Sequence, residues 1–118
     1  MGVLFFHLSC GQIEYGVLAK PRVYVPPRYH TESEYQKGET ITMKIPFRGY
    51  PHPTARWTKD GTVIEQGGRF KMEITDRFAI LTISDCQRED TGAYRLVVEN
   101  ELGSDSCTIK NLIAGNFT

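Results

Sequence analysis

The sequence predicts an all-β protein, a sandwich of two antiparallel sheets around one core. Three observations lead there. From Pro21 onward the chain breaks into short segments in which apolar and polar residues alternate, the pattern of half-buried strands. Turn residues separate these segments at regular spacing, and no stretch sustains the 3.6-residue period of a helix. The length of 118 residues suits a single core. Roughly eight or nine short strands joined by short connections cannot close one flat sheet and are expected to fold into two.

The elements follow in order. Arg22–Val25 is read as a first strand, stopped by Pro26-Pro27, because proline has no N–H to give a ladder and must lie at an edge or break. Ser33–Gln36 resumes, and Lys37-Gly38-Glu39 turns. In Thr40–Phe47, the residues Ile41, Met43, Ile45 and Phe47 share one face, the cleanest alternation in the chain. A stiff loop, Gly49-Tyr50-Pro51-His52-Pro53, leads into Thr54–Lys59, where Ala55 and Trp57 share a face. Lys59-Asp60-Gly61 signals a hairpin into Thr62–Glu65. After Gln66-Gly67-Gly68 comes Arg69–Thr75, then a turn at Asp76-Arg77 and the strand Phe78–Ile83 with Ala79, Leu81 and Ile83 inward. Ala93–Glu99 points Tyr94, Leu96 and Val98 inward, and Asn100-Glu101-Leu102-Gly103 makes a second hairpin. In the last strand, Asp105–Ile113, Cys107 and Ile109 face inward, but the phase is lost at Asn111-Leu112, where a bulge is expected.

Residues 1–20 stand apart as a leader expected to be poorly ordered, residues 21–113 form the domain, and residues 114–118 are a tail. Fourteen basic residues balance fourteen acidic ones, so the chain lacks the basic excess that nucleic-acid binding draws on. No apolar run reaches the length of a membrane helix. The three cysteines, Cys10, Cys86 and Cys107, fit neither a zinc pattern nor a disulfide framework, and His7 with Cys10 finds no second ligand pair nearby. No metal or cofactor is expected.

Several motifs together resemble the intermediate (I) set of immunoglobulin-like domains between Pro21 and about Ile113. They are Gly49-x-Pro51-x-Pro53 followed by Trp57, then Lys59-Asp60-Gly61, Leu81-x-Ile83, Asp90-Thr91-Gly92-Ala93-Tyr94 and Asn100-x-x-Gly103. The resemblance implies a Greek-key immunoglobulin-like sandwich with a structural core of Ile45, Trp57, Leu81, Tyr94 and Leu96. It implies a tyrosine corner at Tyr94 and a structural ion pair between Arg69 and Asp90. The family's two inter-sheet cysteines fall at Ile45 and Leu96, so that disulfide cannot form. This departure is similar to the immunoglobulin modules of the titin, twitchin and projectin group of giant muscle proteins. It implies a cytoplasmic, sarcomeric setting, with neighbouring immunoglobulin or fibronectin type III domains and muscle filament proteins as partners.

No candidate active site emerges. Ser84, Asp85 and the histidines cannot converge as a triad, Asp60 and Asp90 are expected at opposite ends of the sandwich, and no phosphate loop exists. Tyr50, His52, Arg56 and Lys59 form the candidate partner surface, because aromatic and arginine side chains are enriched at binding hot spots. The function expected is a non-catalytic spacer, filament-docking or kinase-neighbouring module. The alternative is an extracellular adhesion or receptor module, which the sequon Asn116-Phe117-Thr118 nominally favours.

Overall fold

The computed structural model describes the backbone of residues 3–9 and 12–115, and side chains from residue 17 to 115. Its strands are β1 (Val3–Ser9), β2 (Gln12–Val23), β3 (Ser33–Gln36), β4 (Ile41–Tyr50), β5 (Thr54–Lys59), β6 (Thr62–Val63), β7 (Phe70–Ile74), β8 (Phe78–Ile83), β9 (Gly92–Asn100) and β10 (Gly103–Ala114). One sheet has the order β1-β2-β4-β8-β7 and the other β3-β10-β9-β5-β6. All pairings are antiparallel except β3 with β10, which run parallel from Ser33↔Asn111 to Gln36↔Ala114. This is the two-sheet sandwich that the strand pattern predicted, in the immunoglobulin-like arrangement that the resemblance implied.

The alternation that marks β4 in the sequence is its burial pattern. Ile41, Met43, Ile45 and Phe47 are buried, while Thr42, Lys44 and Arg48 face water. Facing them across the core, β9 buries Tyr94, Leu96 and Val98, and β5 buries Trp57 opposite Leu96. Ile45 and Leu96, which occupy the family's cysteine positions, are both 0% exposed. Full burial of each contributes about 1.5–3 kcal/mol, comparable as a pair to the roughly 2–5 kcal/mol of a native disulfide in a small domain. The two sheets are held by packing where a covalent bridge could stand.

Three features differ from the sequence reading. Asn111 sits in phase with Ile109 and Ile113 and is buried, its Nδ2 donating to the Met43 sulfur at 3.4 Å. The ladder to β9 is continuous through Asn111↔Gly92, so β10 has no bulge there. A polar side chain at an inward position hid the phase. The irregularity lies instead in β2, whose register to β4 shifts between Ala19↔Tyr50 and Arg22↔Arg48. Lys20 and Pro21 thus both oppose Gly49, which has φ 157° and whose missing Cβ would stand 2.7 Å from Pro53 Cγ. Only glycine fits that crossing. Third, the backbone runs without interruption through the division expected at residue 20, since β2 spans Gln12–Val23. The Asn100 amide also donates to the Ala19 carbonyl at 3.0 Å.

The chain then crosses between sheets. It leaves β2 in the first sheet, passes Pro26 into a 3₁₀ turn at Pro27–Tyr29, and joins the second sheet as β3. Proline at the first helical position suits such a turn. Tyr29 pins the crossing. Its ring is buried and its hydroxyl donates to the Thr42 carbonyl at 3.1 Å while accepting from Arg28 Nη2 at 2.7 Å.

Candidate functional site

The densest polar constellation is the turn before β9. The 3₁₀ turn Arg88–Asp90 buries Asp90, and the Tyr94 hydroxyl donates back to the Asp90 carbonyl at 2.5 Å. Burial raises the Tyr94 phenol well above its ordinary value, and the charges of Asp90 and Asp60 add to that. Arg69 lies just before β7 and reaches across with both guanidinium nitrogens, Nη1 to Oδ2 at 2.5 Å and Nη2 to Oδ1 at 3.1 Å. The Gln87 N–H adds a third bond to Oδ2 at 2.7 Å. Burial alone would raise the Asp90 carboxyl. The hydrogen bonds from Arg69 and Gln87, with the charges of Arg69 and Lys59, outweigh it and hold the carboxyl below its usual range.

Asp60 belongs to the same end, contrary to the expectation that it and Asp90 lie apart. The register Lys59↔Tyr94 brings the β5–β6 turn against the corner. Asp60 Oδ1 accepts from the Ala93 N–H at 3.0 Å, its own N–H donates to the Ala93 carbonyl at 2.9 Å, and Lys59 Nζ donates to the Glu89 carbonyl. A Cβ at Gly92 would press on the Asp60 carboxylate, so a larger residue there has to displace it. The pairing is long-range, which is why no local motif announced it. Each carboxylate oxygen of Asp90 already holds an N–H donor, so the constellation braces the turn and presents no poised acid or base.

The four candidate surface residues are spread rather than gathered. Tyr50 ends β4 and leads through a cis peptide into Pro51. His52 folds toward the first sheet, with Nε2 3.2 Å from the Thr75 carbonyl and its ring edge-on to Phe47. Arg56 faces water midway along β5, in a shallow hollow with Thr54, Val97 and Glu99. Lys59 is at the corner, some five residues from Thr54, or about 17 Å of strand.

Cys86 is fully buried and its thiol donates to the Gln36 carbonyl at 3.2 Å; Cys107 lies in β10, where burial pushes its thiol up to about 11. Both are free thiols, and Cys10 and the Asn116 sequon lie outside the described residues. Among the described residues no group of three or more His, Cys, Asp or Glu could hold a metal ion. A concavity of about 750 Å³ among the described residues was not marked by any motif. It lies at the bulged edge of β2 and is lined by Lys20, Arg22, Tyr24, Arg48 and Asp105 among others. Its residues come from β2, β4 and β10 and from Tyr24 just after β2, so no local motif marks it.

Comparison with known proteins agrees with this architecture. Human myosin-binding protein H is 38% identical over 81 residues, which are 69% of this chain and 17% of that protein. A titin homolog of Caenorhabditis elegans is 32% identical over 90 residues, 75% of this chain and, to the nearest per cent, 0% of that protein. The chain therefore spans a small fraction of the relatives it matches. The solved structure of titin domain M7 superposes with a TM-score of 0.75 at 29% identity, covering 84% of this chain and 98% of that one. The family model described as the immunoglobulin I-set domain matches residues 27–112. Because that match takes in every strand from β3 through most of β10, the chain belongs to the immunoglobulin I-set domain family.

Proposed function

We propose that the chain is a non-catalytic module of a larger intracellular muscle protein of the sarcomere, serving as a spacer or docking unit between neighbouring immunoglobulin or fibronectin type III domains. The observation that carries this reading is the pair Ile45 and Leu96. Both are 0% exposed where the family commonly places its disulfide, so cohesion needs no oxidising compartment. The names of the relatives, a myosin-binding protein and a titin homolog, support the muscle setting. The parallel pairing of β3 with β10 supports a load-bearing role. Tension that draws these two strands apart along their length loads their ladder hydrogen bonds together rather than one at a time.

Antibody staining of striated muscle tests the proposal. Periodic stripes in register with the filaments are expected. Staining confined to the cell surface, or glycan on Asn116 of the native protein, would overturn it in favour of an adhesion module.

A further inference from the structure

We propose that the cleft at the bulged edge of β2 binds an extended acidic peptide segment, with two same-face carboxylates taken by Arg22 and Arg48. These arginines stand directly opposite each other in the β2–β4 ladder, and both are exposed. Like charges placed directly across a ladder destabilise it. The described ion pairs are Arg69 with Glu89 and Asp90, and Lys71 with Glu73, so among the described residues no carboxylate within 4.0 Å offsets Arg22, Arg48 or Lys20. The bulge adds Lys20 to the same cleft. Its single lining acid, Asp105, is engaged by the N–H groups of Val23 and Ser106, each at 2.9 Å, and its charge answers one cation of three. The balanced total of fourteen and fourteen conceals this local surplus.

The shape and chemistry favour a peptide. Neighbouring strands lie about 4.8 Å apart, and same-face residues of an extended chain repeat about every 6.6 Å, a spacing two splayed guanidinium groups can meet in bidentate fashion. Tyr24, 47% exposed, stands beside the pair and offers a ring to an apolar neighbour of those carboxylates. A duplex or an anionic membrane draws on an extended positive field, whereas this cleft confines its three cations, Lys20, Arg22 and Arg48, to one edge of the sandwich. The inference does not depend on the muscle setting, since the cleft would act in any compartment.

The test is an amide-resolved NMR titration of the full chain with a short synthetic peptide alternating glutamate and alanine and ending in leucine. Saturable shifts confined to Lys20–Tyr24, Arg48-Gly49 and Ser104-Asp105 are expected, with no response to the glutamine analogue. Arg22→Gln with Arg48→Gln should weaken binding about tenfold, and Arg56→Gln on the other sheet should not. In the free chain Arg48→Gln should hold or raise the melting temperature, because it relieves the cross-strand repulsion. Absence of shifts in the cleft, equal binding by the double variant, or a marked fall in melting temperature for Arg48→Gln would overturn the proposal. So would stronger binding at the same residues by phosphatidylserine vesicles or inorganic phosphate.

Discussion

Replacing Arg69 by alanine isolates what the corner ion pair does. The substitution removes both guanidinium bonds to Asp90, whose side chain is only 4% exposed, and leaves the carboxylate with the Gln87 N–H alone. Breaking a fully buried pair costs about 3–5 kcal/mol. Arg69 itself is 31% exposed, so water can enter the space it leaves, and the expected loss is about 2–4 kcal/mol at pH 7. The pH dependence gives the sharper signature. In the parent the Asp90 carboxyl is depressed below its usual 3.8, so its stabilisation is complete above that value and disappears as pH falls through the lower, folded value. In the variant burial dominates, the carboxyl rises, and protonation relieves a buried charge. The gap between the two proteins should therefore be widest near neutrality and close as the solution is acidified below about 4. Urea unfolding across that range measures it. A loss under about 1 kcal/mol, or one that does not vary with pH, would refute the reasoning.

Other expectations follow from the same contacts. Trp57→Ala should cost about 3–5 kcal/mol, and the native emission of this single tryptophan should be blue-shifted. Tyr94→Phe removes the donor to the Asp90 carbonyl and should cost about 1–2 kcal/mol by calorimetry, the price of one buried bond. A chain starting at residue 17 should keep the parental melting midpoint. One starting at residue 21 loses the Asn100–Ala19 bond and the Ala19↔Tyr50 pairing and should melt a few degrees lower; equal midpoints would show that β2 matters only from Pro21 on. Reductant should leave the melting temperature unchanged, since Cys86 and Cys107 are unbridged.

What the sequence disclosed, and what it withheld, follows from the range of the interactions. Strands with one wet face, such as β4 and β8, carry their burial in their alternation, and their inward residues were readable one by one. Asn111 defeated that reading because its polarity contradicts its position, a conflict that the Met43 sulfur partly settles. Tyr29 gave no periodic signal, sitting alone in a turn, yet it is as buried as the strand residues. The meeting of Asp60 with the corner and of Arg22 with Arg48 depends on which strands become neighbours and in what register. Those pairings join residues distant in sequence, and no composition or local motif encodes them.

The path from β2 to β3 couples the two sheets through the backbone itself. One short stretch of backbone belongs to both sheets in succession, with Tyr29 anchored to β4 on the way. A cystine bridge joins two sheets once, and after rupture it needs an oxidant and the right partner to form again. A segment that leaves one sheet as β2 and enters the other as β3 is a fastening made of the chain itself. It can open and close without redox chemistry and carries no wrong partner to choose. A tether that is stretched and released repeatedly would recover its length as fast as its strands can pair.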